Sequence, residues 1–356
     1  MKHILFIVPY PLHRAPSQRF RVELYEQALN EKGISYDIRP FMNEQTWKVL
    51  YREGSLVKKI LGVLRSYGKR MLLLCALPRY RYVFIHREAA PVGPPVFEWI
   101  AAKLLGKKII YDFDDAIWIP NTSKENKIAA WFKAFWKVKY ICKWADKIAG
   151  GNEYLCRFAK QYNAHVVLLP TCVDTERGHY KQKAHGAHRP VVGWTGSHST
   201  LFYLNDLVPL IIELQQEIAF DFLVIADKKP ELNLDDWQFV KWNEATEQED
   251  LLKMDIGVMP LKTDAWSEGK CGFKLIQYMS LGIPAIADPI GVNKKIINHG
   301  TNGFLCATKE EWKASLRTLL VNVEMRKKMG AEGRRKIVEE YSIESQKNKF
   351  LRLFTS

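Results

Sequence analysis

The strongest constraint on the fold of this chain is an alternation of short apolar runs with helix-patterned stretches, which runs once and then restarts. Residues 3–9 (HILFIVP) are apolar throughout, and RFRVELYEQALNEKG carries apolar residues at helical spacing until Gly33. A short run apolar on both faces, followed by an amphipathic stretch, reads as a buried strand leading into a covering helix. Further strands are expected at 35–39, 82–86, 108–112 and 166–174, with a long basic helical region over 45–77 and a helix over 94–105 ended by Gly106. The pattern begins again at PVVGWTGSHS (190–199), with strands at 221–226, 239–242, 256–259 and 285–288. From 309 to 354 the composition is helical, with breaks expected near Gly330, Gly333 and Tyr341. These units predict an α/β fold of two Rossmann-like parallel-sheet domains facing across a cleft. The expected boundaries are 1–170, a polar linker at 171–189, 190–340, and a terminal helix at 341–356 that crosses back to the first domain.

Length agrees, since 356 residues exceed what one core serves and, at roughly 150 per domain, point to two. An apolar fraction of 47% with 26% charged residues argues against both disorder and a polytopic membrane bundle. The opening apolar run, Ile4 to Val8, stops at Pro9 and is too short for a signal peptide. The longest later run, 71–77, falls far below the roughly 18 residues of a spanning helix. Six cysteines without a CxxC pair predict reduced thiols and a cytoplasmic protein. His179, His185 and His188 cluster around YKQKAHGAHRP, a segment without a carboxylate or cysteine, so no metal site is expected there.

Charge separates the halves. Residues 1–170 hold 28 Lys and Arg against 14 Asp and Glu, whereas 171–356 hold 25 of each. All the excess lies in the first half, which suggests that one domain faces an anionic surface.

Ligands of open α/β sheets bind beyond the carboxyl ends of the strands, so the loops there are the places to search. Neither PYPLHRAPS after the first strand nor GWTGSHS after the restart is a G-x-G-x-x-G or P-loop motif. A dinucleotide oxidoreductase and a P-loop nucleotidase are both disfavoured. The most suggestive segment is SEGKCGFKLIQYMSLGIP (267–284), where Gly269 and Gly272 flank Lys270 just before an apolar helix carrying Lys274. Backbone N–H groups at a helix start, with two lysines beside them, suit a diphosphate. A plain glycine turn with solvated lysines would use the same residues. The Gly196 loop at a neighbouring strand end favours anion binding.

This segment resembles the donor-binding motif of retaining glycosyltransferases of family 4 (glycosyl transferases group 1), which have the two-domain GT-B fold. LLPTCVD resembles the interdomain stretch of that family, TNGFLC its G-x-x-G-x-L hairpin, and YSIESQKNKFLRLF its terminal crossing helix. The resemblance covers nearly the whole chain and is most specific over 239–306. It implies an acceptor-binding first domain and a nucleotide-sugar-binding second domain. The implied donor-binding residues are Gly196, Ser197, Trp242, Glu268, Gly269, Gly272, Phe273 and Gln277, with Lys270, Lys274 and Asp114 as catalytic residues. It also implies sugar transfer to a hydroxyl with retention, in surface polysaccharide or glycolipid synthesis, with no metal and no cofactor.

The chain departs from the family at two places. Aligning Gly272 with the motif glycine puts Gly269 and Gln277 where the family has glutamates, and the family's Arg and Lys after the first strand of the second domain are missing from GWTGSHS. Gln277 can still accept and donate to a ribose hydroxyl, and Glu268 lies one residue from Gly269. In the first domain, IIYDFDDAIW places Asp114 where many relatives carry a sugar-contacting His, between Asp112 and Asp115. Three close carboxylates also invite a D-x-D metal site, which the two-domain pattern disfavours, and at least one of them could cap a helix.

Ser17 is an expected N-cap, with Arg19 and Arg21 in the first helical turn, where cations oppose the helix dipole unless an anion offsets them. Arg87 and Glu88 leave the 82–86 strand toward the expected cleft, or form an ordinary surface ion pair. Residues 45–87 and 124–147 mix Lys and Arg with aromatics: Trp131, Phe132, Phe135, Trp136, Tyr140 and Trp144 alternate with Lys133, Lys137, Lys139, Lys143 and Lys147. Such a surface suits an anionic membrane and a lipid-linked acceptor, although some of the rings must be core. A catalytically idle nucleotide-sugar or glycan-binding protein on the same scaffold stays open, and a basic nucleic-acid-binding protein is a weaker alternative without a recognisable motif.

Overall fold

The computed structural model describes residues 2–50, 54, 56–120 and 133–355. Trp131 and Phe132 lie outside the described residues. The chain divides into two compact units, residues 1–171 with 346–356, and residues 172–345.

Unit 1 is a six-stranded parallel sheet in the order β2-β1-β3-β4-β5-β6. Its strands are β1 (Lys2–Val8), β2 (Tyr36–Pro40), β3 (Tyr80–His86), β4 (Lys108–Phe113), β5 (Lys147–Gly150) and β6 (Val166–Leu168). β1, β3 and β4 are central, and Ile4–Val8 and Val83–Ile85 are fully buried, as a sheet covered on both faces requires. The order reverses between β1 and β3, so the loops leaving these strands flank the switch point where such sheets take ligands. The early helices are α1 (Pro16–Arg21), α2 (Glu26–Glu31), α3 (Glu44–Leu50), α4 (Leu56–Leu72) and α5 (Val96–Trp99). The expected basic helical region over 45–77 contains α3, α4 and a 3-10 turn at Leu73–Arg79, in which Pro78 cannot donate to an α-helical ladder. β5 was not expected from the sequence, because KIAG offers only four residues of weak alternation. At the chain's end, Phe350 stacks on Tyr25 with ring centroids 3.9 Å apart, and Phe354 meets Phe6 and Tyr82, so the last residues are part of the core of this unit.

Unit 2 is a second six-stranded parallel sheet, ordered β12-β11-β10-β7-β8-β9. Its strands are β7 (Val191–Gly196), β8 (Asp221–Ala226), β9 (Trp237–Lys241), β10 (Ile256–Met259), β11 (Ala285–Ala287) and β12 (Gly303–Leu305). Counted within the unit this is the dinucleotide-fold order 3-2-1-4-5-6 reversed end to end, with its switch point between β7 and β10. The polar stretch after Cys172 is laid along this unit, where Lys183 N–H donates to the Leu281 carbonyl at 2.7 Å. Lys183 and His188 reach Asp255 at 3.2 and 3.0 Å. Asp255 thus supplies, from 67 residues away, a carboxylate absent from the local sequence.

The expected breaks at Gly330 and Gly333 do not occur: one helix runs Val323–Glu340. These glycines permit contact rather than a break, since a Cβ at Gly330 would stand 2.0 Å from the Gly282 carbonyl and one at Gly333 3.3 Å from Met279. The break falls instead at Asn322, whose side chain caps the helix by accepting from Met325 N–H.

Candidate active site

In unit 2 the loop leaving β10 contains a short helix (Ala265–Glu268), then Gly269 to Gly272, then the helix Phe273–Ser280. Asp264 caps the short helix through Ser267 N–H, and the Ser267 hydroxyl lies 3.1 Å from that of Tyr203. Gly272 is the N-cap of the second helix at φ 67°, and a Cβ there would also stand 2.3 Å from Ile296, so only glycine fits. With no side chain at the cap, the helix start presents backbone and dipole alone. Lys270 lies over the Trp266 ring at 4.8 Å and Lys274 over the Trp194 ring at 5.3 Å. Trp194 belongs to β7, and Tyr278 of the same helix accepts from Thr195 N–H at 2.8 Å, so the lysine-bearing helix is fastened beside the end of β7. That strand end is Gly196 followed by exposed Ser197, and His198 holds the loop to Asp227 through its N–H at 2.6 Å. The structure thus gathers Gly196, Ser197, Lys270, Gly272, Phe273 and Lys274 at one switch point. Glu268 is half-buried, with its carbonyl packed against Gly291, and Gly269 is buried.

Gln277 is buried, and its amide donates to Glu247 at 3.3 Å. Glu247 also accepts from the Trp242 indole at 2.9 Å. Glu247 was not expected from the sequence, because thirty residues separate it from Gln277 and only the crossover after β9 brings them together. It sets a carboxylate beside the glutamine that stands where the family resemblance expects a glutamate.

In unit 1 the ends of β3 and β4 carry a charged network. Asp112 is fully buried and accepts from His86 Nδ1 at 2.7 Å and from Arg21 Nε at 3.3 Å, with Arg21 Nη2 on its other oxygen. Arg21 is itself buried and also donates to the Leu169 carbonyl. Arg21 and Asp112 therefore do not line an open surface; they hold the strand ends together from beneath. The other face of His86 meets the Ser17 hydroxyl at 2.9 Å. Ser17 is not the N-cap: Pro16 takes the first helical position and Ala15 the cap. α1 is only six residues long, so Arg19 and Arg21 lie in its last turn, where a cation is favourable, and the expected clash with the dipole disappears. Arg19 is half-buried, with its guanidinium 5.0 Å from the Phe20 ring centroid.

Arg87 takes a left-handed backbone, φ 61°, held by Arg87 N–H to the Asp112 carbonyl at 2.7 Å and Tyr111 hydroxyl to the Arg87 carbonyl at 2.8 Å. A non-glycine residue in this region carries strain that its surroundings must offset. The strain aims the guanidinium at Asp114, 3.0 Å away, and Asp115, 2.5 Å away. Burial pushes the Asp114 carboxyl up, but the charges of Arg87 and His86 and the Ser17 hydroxyl outweigh it and hold the group well below the usual carboxylate range. Glu88 turns the other way, onto Lys137 at 2.7 Å, and Lys137 also donates to the Ala90 carbonyl. Lys137 is buried and so does not belong to the basic surface, whereas Lys133, Trp136, Tyr140 and Lys143 are exposed.

Two parallel Rossmann-type units in one chain, each with its charged residues at the sheet's switch point, define the GT-B fold. Residues 226–336, from the end of β8 through the Lys270 turn into the last helices, match the family described as Glycosyl transferases group 1. By fold the chain is similar to sucrose-phosphate synthase from Thermosynechococcus elongatus, with a TM-score of 0.71, 12% identity, and 99% and 98% of the two chains covered. It is similar to a glycosyltransferase from Rickettsia africae, with a TM-score of 0.69, 15% identity, and 99% and 98% covered. It is also similar to Anabaena HepE in complex with UDP and glucose, with a TM-score of 0.69, 14% identity, and 100% of each chain covered. No curated protein matches the chain by sequence.

Proposed function

We propose that the protein is a retaining, family-4-type glycosyltransferase that moves a sugar from a nucleotide diphosphate to a hydroxyl acceptor, in surface polysaccharide or glycolipid synthesis. The observation that carries this reading is the cation-flanked helix start at Gly272, set at the switch point of a sheet with dinucleotide-fold order. Lys270, Lys274 and the helix start stabilise the charge that develops on the departing diphosphate. Glu247, oriented by Trp242 and Gln277, takes the ribose hydroxyls in place of the missing glutamate. Asp114, kept ionised by Arg87, serves the sugar or the acceptor hydroxyl. Each aspartate of 112–115 already faces a protein cation, which supports neutralisation by side chains without a metal or cofactor. The protein works in the cytoplasm, peripheral to the inner membrane face, with a lipid-linked acceptor. Among the described residues no helix is long and apolar enough to cross a membrane.

The test is thermal denaturation with a panel of nucleoside diphosphates, followed by sugar transfer. A true donor nucleotide at a hundred times its Kd stabilises by about 2.7 kcal/mol. Lys274→Ala should lower transfer roughly 100- to 1,000-fold, the scale seen when one preorganised charge-stabilising group is removed. Absence of stabilisation by every nucleotide refutes the donor site, and full turnover by the variant refutes the lysine's role. Gly269 and Gln277 at the glutamate positions favour a second reading, a nucleotide-sugar-binding protein without catalysis, whose signature is stabilisation without turnover.

A further inference from the structure

Helix α4 has two apolar faces: Val63 and Tyr67 pack inward against Phe41, Met42 and Ala90, and a second set of apolar side chains faces outward. At 3.6 residues per turn, Val57, Ile60, Leu61, Leu64 and Leu72 fall within one stripe about 120° wide. Every one of them is exposed, from 50% at Ile60 to 74% at Leu72. The opposite side, turned toward the rest of unit 1, carries Ser66 and Arg70, which are 6% and 3% exposed. Arg70 donates to the carbonyls of Ala89, Arg39 and Val8 at 2.9, 3.0 and 3.1 Å, and so ties the helix to the ends of β1 and β2 and to the loop after β3 by its guanidinium. Ser66 returns its hydroxyl to the Gly62 carbonyl at 2.9 Å. A helix that folded only to cover its own unit would put leucines inward and the guanidinium outward. Single exposed leucines are ordinary on protein surfaces, but five in one stripe are a contact surface.

Charge identifies what the stripe contacts. Between Glu53 and Glu88 the sequence has eight Lys and Arg and no acidic residue. Lys58, Arg65 and Lys69 are exposed along one flank of the stripe, and among the described residues none of them has an ion-pair partner. Arg65, Ser66 and Lys69 also form one wall of an open cavity of about 310 Å³, lined on its other sides by Leu12, Phe41, Met42 and Glu44 near the ends of β1 and β2. A row of unpaired cations beside an apolar stripe matches headgroup phosphates above an acyl boundary. A second copy of the chain matches less well, because antiparallel self-pairing of the stripe would bring the two cation rows together and parallel pairing would leave both rows without an anionic partner.

We propose that α4 docks unit 1 onto an anionic lipid bilayer, with Leu61 and Leu64 entering the acyl boundary and Lys58, Arg65 and Lys69 on lipid phosphates. This deepens the membrane association proposed above, resting on that reading only for the purpose of docking, and does not depend on the donor chemistry. Sedimentation of the full chain with phosphatidylcholine vesicles, with and without phosphatidylglycerol, tests it. Binding to the anionic vesicles at low salt, its loss at high salt, and no binding to neutral vesicles are the expected results. The Leu61→Asp/Leu64→Asp variant should bind at least about tenfold more weakly, with its melting temperature and nucleotide-induced shift unchanged. Should that variant fold poorly, Leu64→Trp gives a second readout, an emission blue-shift on adding anionic vesicles. No binding by the native chain overturns the proposal, as do full binding by the double variant and an unshifted Leu64→Trp spectrum. A dimer that Leu64→Asp dissociates, without vesicle binding, assigns the stripe to a second copy instead. Nucleotide stabilisation without vesicle binding would sink the docking surface and leave the donor site standing; the converse would do the opposite.

Discussion

The strand ends of the two sheets hold their cations by different contacts. In unit 1, Asp112, Asp114 and Asp115 meet Arg21, Arg87 and His86 at hydrogen-bond distance, so carboxylates and cations largely cancel one another. In unit 2, Lys270 and Lys274 rest on the faces of Trp266 and Trp194. An aromatic face attracts a cation and holds its side chain in place. The first arrangement makes a rigid, pre-oriented carboxylate; the second sets two lysines beside a helix start. A transferase needs both, one for the hydroxyl side of the reaction and one for the departing diphosphate.

The largest expected effect comes from breaking the first arrangement. Arg21→Met leaves Asp112 buried beside His86 without its guanidinium, and removal of one partner from a buried pair costs about 3–5 kcal/mol. Urea denaturation should show a loss of that size in unit 1. Lys274→Met, by contrast, should leave stability nearly unchanged, because half-buried Lys274 is a less buried group than Arg21. Equal losses in the two variants would mean that both sites are structural and that the contrast is false.

The next effect belongs to Glu247. Loss of a charged hydrogen-bond acceptor is worth about 1.5–3 kcal/mol, so Glu247→Ala should weaken nucleotide binding roughly ten- to a hundredfold. Calorimetric titration of UDP, GDP and ADP would measure it, and unchanged affinity for whichever of them binds would remove Glu247 from the site. This residue also marks what the sequence could and could not reveal. The glycine turn with Lys270 and Lys274 was legible because a helix start, its glycines and its lysines are contiguous in the chain. Glu247 was not, since its link to Gln277 exists only through the β9 to β10 crossover, and the same holds for Asp255 and the histidines of the 172–189 stretch. Arg21 and Asp112, 91 residues apart, read as a first-turn cation and one of three close carboxylates, because neither local pattern says that the other is near. The glycines at 330 and 333 were misread because glycine weakens a lone helix but also lets two helices touch, and only packing decides which.

The smallest effect is a change of slope with pH. Asp114 in unit 1 and Asp255 in unit 2 are both held below the usual carboxylate range; burial opposes this in each, but Arg87 and His86 outweigh it at Asp114, and His185 and Lys183 at Asp255. A carboxyl with a depressed folded pKa contributes stability that is complete above its unfolded value, about 3.9, and is lost as pH falls toward the folded one. Stability should therefore be level from about pH 7 to 5 and fall below about 4, by at most about 1.4 kcal/mol per pH unit for each proton taken up. Hydrogen exchange at β4 amides follows unit 1 and at β10 amides unit 2, once intrinsic rates are removed. Arg87→Met should flatten the acid limb at β4 alone. Lys183→Met should flatten the limb at β10 alone, and by less, because His185 and His188 still face Asp255. A limb that flattens in both units with either variant would show that the two networks respond as one, and the contrast between them would have to be redrawn.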